Sequence, residues 1–428
     1  MDDMATAGRN AGKKMMGNNA YIVDACRTPR GIGKVGKGAL AQMHPQQLGA
    51  VVLAALRERN GIDTAQVDDI IWGCSNQQWR QGGDLGRMSA LDAGYDVKAS
   101  GVTLDRFCGS GLTATNFAAA TIMAGMEDVV ISGGTEMMSY NGSDPMARRP
   151  LLFDCENDHL RALHPQVAQG ICADAVATLE GISRLATEEL AIESQRRAAH
   201  AIANGHFDKS IVAVVDRDGR LLLDRDENPR PTTTLEGLAQ LRPAFADIAD
   251  RPISEGGPSQ RELIARVFPE LAIEHVHHAG NSSGVVDGAA ALLLASQDAC
   301  RKNGWKPRAR IVAMANAGDS PELMLNAPVP AALKALKKAG LALDDIDLFE
   351  VNEAFAVVAE KFIRDLRLDR DKVNVNGGAI ALGHPIGATG AMLIGTALDE
   401  LERRGAQRAL ITMCAAGGMA PAIIIERV

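Results

Sequence analysis

The sequence predicts an α/β fold built from two similar halves. Short apolar runs typical of buried strands alternate with longer segments whose apolar residues recur at helical spacing. The order of these elements repeats once along the chain, and a more polar segment separates the two copies. These observations indicate a duplicated α/β chain with a region inserted between its halves.

The individual elements follow from the two periodicities. Apolar runs predict strands at 20–25, 68–73, 128–134, 309–315, 347–353, 408–413 and 421–426. Apolar residues three and four positions apart predict helices over 45–59, 111–125, 187–204 and 389–404. Aromatic residues make up only 4% of the chain and glycine occurs 43 times, so we expect a core of small and aliphatic side chains in close contact.

The repeat has a constant internal spacing. In each copy a strand (VDDIIWG, LDDIDLFE) precedes an Ala-rich helix, and a second strand with glycines follows (VVISGGTE, ALITMCAAGG). Cys108 opens the first helix 39 positions after Asp69, and His384 opens the second 39 positions after Asp345. The repeat therefore predicts that Cys108 and His384 face one another. The alternative is a coincidence between two αβ units of common design.

The chain divides into four segments on this basis. They are a disordered tail (1–18), a first half (19–138 together with 286–307), an inserted loop domain that forms a lid (139–285), and a second half (308–428). The lid is rich in Pro, Asp and Arg, and loops on a rigid scaffold are where binding residues concentrate. Within it, 246–274 combines a Pro/Gly-broken stretch with a short amphipathic helix, RELIARVF.

Composition excludes several classes of protein. The formal net charge of -8 argues against nucleic acid and anionic membrane as partners, because both require a broad basic field. No window approaches 18 uninterrupted apolar residues, and residues 1–18 lack the apolar core of a signal peptide. The seven cysteines form no CxxC pair, which is typical of a reducing compartment, so a cytoplasmic protein is expected.

Cys108 is a candidate nucleophile. It precedes two glycines at the opening of the helix in DRFCGSGLTATNFAAATIMAG. Amide donors and the positive end of a helix lower the pKa of a thiol in that position and make the thiolate available. The alternative is a small buried hydrophobic residue, which is what free cysteines commonly are.

His384 is a candidate base. In NVNGGAIALGHPIGATGAMLIG, glycines allow the backbone to approach closely, and Pro385 prevents regular pairing of the next amide, so the imidazole can project from a loop edge. An imidazole beside a thiol accepts its proton and activates it. The alternative is a structural histidine.

Two further residues complete the set of candidates. Cys414 ends a strand and enters a glycine turn in ITMCAAGGMAPA, where a second thiol could act as an acid or base on carbon. Asn352 ends a strand in VNEAFA, where its amide could orient a water or donate to an oxyanion. The alternatives are a buried structural cysteine and a helix cap.

A metal site is not predicted. His275, His277 and His278 lie close together, but they occupy a predicted strand, on which adjacent side chains point to opposite faces. We expect a solvated or core role for them.

The sequence resembles the thiolase family in six ordered stretches. They are DRFCGSGLTA, SGGTEMMS, GNSSGVVDGAA, NEAFA, NGGAIALGHPIGATGA and CAAGGMAPAIIIE. The resemblance runs from about residue 20 to the C-terminus. It implies the duplicated thiolase fold, a five-layer αβαβα arrangement with an inserted loop domain, in a homodimer or homotetramer. The internal repeat indicates the same duplication independently.

The resemblance implies thiolytic cleavage of a 3-ketoacyl-CoA to acetyl-CoA or propionyl-CoA and a shortened acyl-CoA, or the reverse Claisen condensation. Cys108 would carry the acyl group, His384 would accept its proton, and Cys414 would act on the other carbon. Asn352 would hold a water of one oxyanion hole, and the backbone amides of Cys108 and Ala416 would form the other. Many relatives have Gly where this chain has Ala416, but the donor is a main-chain N–H.

The resemblance also implies the ligands. Coenzyme A is expected as a co-substrate, with no permanently bound cofactor, and acyl-CoA and CoA are the expected partners. Ser283 matches a pantetheine contact, and Arg230 matches a position near the nucleotide end. Substrate-binding wall positions are matched by Met324, Ala354 and Phe355.

Two departures bear on the substrate. Ala168 and Gln169 stand where short-chain acetoacetyl-CoA thiolases carry a His-Met pair, and 246–274 is longer than its usual counterpart. We therefore expect a degradative 3-ketoacyl-CoA thiolase with a medium or unusual acyl chain. The alternatives are a biosynthetic, acetoacetyl-CoA-forming acetyltransferase, a ketoacyl synthase-like enzyme and a non-catalytic acyl-CoA or lipid carrier. The last two are disfavoured because both thiols, the histidine and the asparagine are present.

Overall fold

A computed structural model describes residues 18–143, 146 and 152–428. The described strands are β1 (Ala20–Arg27), β2 (Gly31–Ile32), β3 (Asp69–Gly73), β4 (Val102–Leu104), β5 (Val129–Met137), β6 (Val214–Val215), β7 (Leu221–Leu223), β8 (Val286–Ser296), β9 (Ala309–Gly318), β10 (Leu348–Val351), β11 (Arg408–Thr412) and β12 (Met419–Arg427). The described α-helices are α1 (Pro45–Asn60), α2 (Leu85–Asp92), α3 (Ser110–Met123), α4 (Met138–Ser143), α5 (Asp158–Leu163), α6 (Gln169–Leu179), α7 (Arg184–Ala203), α8 (Leu235–Ala239), α9 (Ala246–Ala249), α10 (Gln260–Ala265), α11 (Gln297–Asn303), α12 (Pro328–Ala339), α13 (Ala356–Leu366), α14 (Ala379–Leu382) and α15 (Thr389–Arg404).

The main strands confirm the two similar halves. Their order is β10-β11-β12-β9-β1-β8-β5-β3-β4, which is mirrored about the junction of β9 with β1. The pairs β10–β11 and β3–β5 are parallel, whereas β12 and β8 each lie antiparallel to both neighbours. At the junction, β1 pairs with β9 through Tyr21 with Arg310 and Ile22 with Ala309.

The helices form three layers around the two sets of strands. α1 and α2 pack on the outer face of the first half, where Trp72 and Leu53 are fully buried. α12 and α13 cover the outer face of the second half around Phe362. α3 and α15 lie between the halves and contact strands of both, with Leu112 and Leu398 in the central core. This is the predicted αβαβα arrangement.

Glycine sets how closely the two central helices approach. A β-carbon at Gly111 would lie 2.7 Å from the carbonyl oxygen of Gly387, and one at Gly390 would lie 2.1 Å from the backbone nitrogen of Leu112. Neither position accepts a larger side chain without moving backbone. Because α3 and α15 meet through backbone, the residues at their openings, Cys108 and His384, belong to one region of the protein.

All four predicted helices are present, and none of their ends differs from the predicted end by more than three residues. The helices predicted at 45–59, 111–125, 187–204 and 389–404 are α1, α3, α7 and α15. β8, which the sequence patterns did not single out, is buried along all eleven residues between β1 and β5.

The predicted disordered tail lies outside the described residues except for Asn18. The segment 139–285, where described, carries mostly short helices and one hairpin, β6–β7; its boundaries as a domain remain a prediction.

Candidate active site

Cys108 lies immediately before the central helix α3. Gly109 is the N-cap of that helix, and Cys108 is 5% exposed. The preceding residue, Phe107, has a φ of 50°, which is an uncommon backbone conformation for a bulky side chain. This local bend turns the chain into the helix, so the Cys108 thiol sits at the positive end of the α3 dipole.

His384 lies in the Gly383–Pro385 turn that leads into α15. Its backbone N–H donates to the carbonyl of Gly284 at 2.9 Å. Its Nδ1 is 2.6 Å from the hydroxyl oxygen of Thr389, and that hydroxyl donates to the Pro385 carbonyl at 2.9 Å. Since the single hydroxyl hydrogen is used in the second bond, Nδ1 is the donor in the first. The Nε2 atom therefore keeps a lone pair that can accept a proton.

The imidazole faces a side-chain amide. Nε2 of His384 is 3.5 Å from Nδ2 of Asn352, which directly follows β10. The Asn352 oxygen is buried and has no protein partner among the described residues. Burial, and then the charge of Arg30, lower the pKa of His384 to about 3. At neutral pH the imidazole is thus uncharged and able to act as a base.

Cys414 brings a second thiol to the same place. It follows β11 and is fully buried. Burial first, and then the negative charge that Cys108 would carry when ionised, raise the pKa of Cys414 far above its usual range. Neither cysteine is in a disulfide. Ala416 lies in the turn that follows, which is closed by paired backbone hydrogen bonds of 2.7 and 3.1 Å between Ala415 and Met419. The two thiols, the imidazole and the amide are therefore assembled from both halves.

A cleft of about 720 Å³ lies next to this group, but none of the four candidate catalytic residues is among its described lining residues. Four of the predicted ligand contacts line it, namely Arg230, Ser283, Ala354 and Phe355. Gly284, which binds the backbone of His384, also lines the cleft and so connects it to the candidate catalytic residues. Arg230 is the only lysine or arginine among the described lining residues.

Family models match most of the chain. The thiolase N-terminal domain model covers residues 20–248, and the thiolase C-terminal domain model covers residues 305–427. The chain belongs to the thiolase family. It is an acyltransferase. Of the six ordered stretches that predicted this family, five lie within the two matched domains, and GNSSGVVDGAA lies between them.

Individual thiolases are similar over nearly the full length. A β-ketoadipyl-CoA thiolase of Acinetobacter baylyi is 42% identical over 96% of this chain and 100% of the relative. The steroid 3-ketoacyl-CoA thiolase FadA6 of Mycobacterium tuberculosis is 40% identical over 97% of this chain and 96% of the relative. The crystal structure of human mitochondrial 3-ketoacyl-CoA thiolase in complex with CoA has a TM-score of 0.82 and 33% identity, covering 96% of this chain and 98% of that chain.

One residue expected on the substrate wall lies outside the cleft, so its role stays a prediction, and one predicted strand is not present. Met324, expected on the substrate wall, is fully buried with a φ of 63° and is not among the residues that line the cleft. The segment with His275 and His277 is not the predicted strand but an irregular stretch. It is irregular because Asp174 of α6 accepts hydrogen bonds from both imidazoles, at 2.6 and 2.8 Å, and from the His277 amide at 3.0 Å.

Thr389 is a site residue that the sequence patterns did not single out. Its signal was its position five residues after His384 in GHPIGATG, at the first turn of the following helix. Arg30 was also missed, because nothing in the sequence indicates that it lies near His384. Both act on the imidazole, one through a hydrogen bond and the other through charge.

We expect Thr389→Val to lower kcat about 10- to 100-fold, because the imidazole loses the hydroxyl that fixes its tautomer and orientation. Thr389→Ser keeps the hydroxyl and is the matched control, which should retain most of the activity. Steady-state thiolysis and thermal unfolding of both variants check this prediction. Equal kcat in the two variants would contradict the assigned role of the hydroxyl.

Proposed function

We propose that this thiolase cleaves 3-ketoacyl-CoA substrates whose acyl chain is longer than that of acetoacetyl-CoA, through an acyl-Cys108 intermediate. The observation that carries the proposal is the convergence of Cys108, His384, Asn352 and Cys414 beside a cleft lined by the predicted CoA contacts. Each of the two thiols has a separate task, because acyl transfer and proton transfer to carbon occur at different atoms.

In the first half-reaction, Cys108 gives its proton to Nε2 of His384 and its sulfur attacks the C3 carbonyl. The C2–C3 bond then breaks, and its electron pair forms the enolate of acetyl-CoA. The thiol of Cys414 protonates C2, so acetyl-CoA leaves and the acyl group remains on Cys108. The raised pKa of Cys414 supports this role, because the thiol stays protonated until it transfers its proton to C2 of the enolate.

In the second half-reaction, a CoA thiol gives its proton to the Cys414 thiolate, and its sulfur attacks the acyl-Cys108 thioester. Cys108 leaves as a thiolate and recovers the proton held by His384. Negative charge develops on the carbonyl oxygen in both half-reactions. A water on Asn352 together with His384 would stabilise it at one position, and the amides of Cys108 and Ala416 at the other.

Coenzyme A is proposed to occupy the cleft as a co-substrate. Its apolar walls, which include Phe245 and Phe355, suit the pantetheine arm, and the Arg230 guanidinium suits a phosphate. The amide of Ser283 is held by the Ala354 carbonyl at 3.0 Å, which fixes this wall. The human relative's crystal structure is a complex with CoA, which supports the same ligand here.

The longer acyl chain is inferred from the lid. Gln260 of the extended 246–274 segment is 1% exposed, and its side-chain oxygen accepts the amide of Ala168 at 2.7 Å. The ring of Phe245 occupies the space beside Gly170, where a β-carbon would meet it at 2.2 Å. The start of α6 is thus packed against Phe245 and Gln260 of the same lid segment, at the position where short-chain enzymes carry the His-Met pair. Relatives named for β-ketoadipyl-CoA and steroid 3-ketoacyl-CoA support a larger substrate.

We also propose a cytoplasmic homodimer or homotetramer. The oligomer is supported by the large sheet, which ends at β4. The outer edge of β4 is not paired with another described strand, and Val102 on it is 45% exposed.

The cytoplasmic location is supported by the cysteines. None of the seven is in a disulfide, which supports a reducing compartment. No helix in the described part of the chain is long and apolar enough to cross a bilayer.

A substrate panel tests the proposed function. We expect thiolysis of 3-ketooctanoyl-CoA and 3-ketoadipyl-CoA at kcat/KM values at least about tenfold above that for acetoacetyl-CoA, since each well-buried methylene improves binding. The measurement is CoA-dependent loss of the enolate absorbance, with acyl-CoA products identified by mass. Activity confined to acetoacetyl-CoA would contradict the longer-chain proposal, and binding of acyl-CoA without turnover would contradict a catalytic function.

A further inference from the structure

His277 is a fully buried histidine that the proposed reaction does not use. It lies in the irregular stretch that follows the extended lid segment 246–274, and its carbonyl accepts the amide of Ala244 at 2.9 Å. Its Nδ1 is 2.8 Å from a carboxylate oxygen of Asp174, and because a carboxylate only accepts, Nδ1 donates. Nε2 is buried with no hydrogen-bond partner in the described structure. A buried ring with one unpaired nitrogen calls for an explanation.

Asp174 of α6 holds this histidine in place. The carboxylate is fully buried and accepts from the imidazoles of His275 and His277 at 2.6 and 2.8 Å. It also accepts the backbone amides of Val276 and His277 at 3.1 and 3.0 Å. Burial opposes ionisation of this carboxyl group, but the hydrogen bonds from the two imidazoles hold the pKa of Asp174 below its ordinary value. The carboxylate is therefore charged at neutral pH and fixes the orientation of both rings.

The two rings that share Asp174 contact different parts of the protein. Nε2 of His275 is 3.0 Å from Nη2 of Arg261 in α10, and because a guanidinium only donates, Nε2 accepts. The ring of His277 instead packs edge to face against that of Phe355, with centroids 5.6 Å apart and planes at 81°. His275 thus connects Asp174 to the extended lid segment, whereas His277 connects it to Phe355.

Phe355 is the point at which this network reaches the cleft. Phe355 and Phe245 both line the cleft, and their rings meet edge to face with centroids 5.9 Å apart. The backbone of Phe355 forms a β-bridge with Ser282, another lining residue. His277 is not among the described lining residues and is fully buried, so it supports the Phe355 ring from behind.

We propose that Asp174 and His277 are positioning residues that hold the Phe355 wall in the orientation that binds the pantetheine arm of CoA and acyl-CoA. This inference rests on the proposed function, in which the cleft takes these ligands. A ring that is fixed before the ligand arrives loses little rotational freedom on binding, so its contact contributes fully to affinity. The network therefore acts on binding and leaves the chemical steps to the catalytic residues.

His277→Asn tests this role, because the asparagine amide can still donate to Asp174 whereas the ring against Phe355 is lost. We expect the Kd of CoA, measured by calorimetry, to rise about 3- to 10-fold. The kcat of thiolysis at saturating CoA should change less than about twofold, since the interaction lost is one of binding. His275→Asn is the matched control. It removes the other ring on Asp174, which does not contact Phe355, and should bind CoA within about twofold of the wild type.

A double-mutant cycle shows whether His277 acts through Phe355. Phe355→Leu should weaken CoA binding by itself, and adding His277→Asn should change the Kd by less than about a further twofold, because the ring that His277 positions is already absent. If the asparagine variants do not fold, His277→Leu and His275→Leu repeat the comparison with side chains that fill more of the space.

Two outcomes would overturn the proposal. They are equal CoA affinities in the His277 and His275 variants, and full additivity of the His277 and Phe355 changes in the cycle. A merely structural role for the network would lower the melting temperature of both histidine variants without separating their CoA affinities. Absence of thiolysis in the wild-type enzyme would instead overturn the proposed function and would leave the CoA affinities measurable, so the two failures are distinguishable.

Discussion

Cys108→Ala is expected to lower thiolysis by about 10⁴-fold or more, because the acyl group then has no covalent carrier and the remaining residues only bind and orient substrate. CoA-dependent cleavage of a 3-ketoacyl-CoA measures this loss. The expected variant is folded, since Cys108 contributes one small side chain to the core. Its melting temperature should therefore stay close to that of the wild type.

A matched control is available on the outer layer of the first half. Cys26 is also buried, and its thiol donates to the Val52 carbonyl at 3.4 Å, remote from the candidate catalytic residues in the layer formed by α1. Cys26→Ala should retain near-wild-type kcat with a modest loss of stability. If Cys108→Ala retained thiolysis within a few fold of the Cys26 control, Cys108 could not be the acyl carrier.

Cys414→Ala is expected to separate the two chemical tasks. Carbon–carbon cleavage should fall about 10²- to 10⁴-fold, because no group remains to protonate the departing enolate. Acylation of Cys108 by a simple acyl-CoA breaks only a carbon–sulfur bond and transfers no proton to carbon. The leaving CoA thiolate, which exchanges its proton with Cys414 in the wild type, can in the variant take the proton that His384 received from Cys108. This partial reaction should therefore persist in the variant.

Two assays distinguish these steps. Exchange of labelled CoA into acetyl-CoA reports acylation alone, and thiolysis of a 3-ketoacyl-CoA reports the complete reaction. The ratio of exchange to thiolysis should rise by at least about 100-fold in Cys414→Ala. A parallel loss of both activities at unchanged stability would place Cys414 in the acylation step instead, which contradicts the division of labour between the two thiols.

The sequence was sufficient to predict the fold because the repeat is carried by local patterns. Apolar periodicity located α1, α3, α7 and α15, and the equal spacing that leads to Cys108 and to His384 predicted their shared location. β8 escaped recognition because its Ala-rich sequence does not alternate; it is buried on both faces at the centre of the sheet. A strand of this kind cannot be told from a buried helix by periodicity alone.

The parts of the site that the sequence did not predict depend on contacts between distant positions. Arg30 meets Asp226 across 196 positions, and Ala168 meets Gln260 across 92. Neither pair follows from spacing or composition. His275 and His277 were expected on a strand, but the buried Asp174 from α6 binds both and fixes an irregular backbone.

Trapping the acyl-enzyme tests the central claim most directly. The protein is incubated with a 3-ketoacyl-CoA in the absence of free CoA, quenched in acid, digested and analysed by peptide mass spectrometry. The proposed chemistry predicts one acyl group on the peptide that contains Cys108 and none on the peptide that contains Cys414. An acyl group on Cys414, or release of acetyl-CoA with no acylated cysteine, would contradict it.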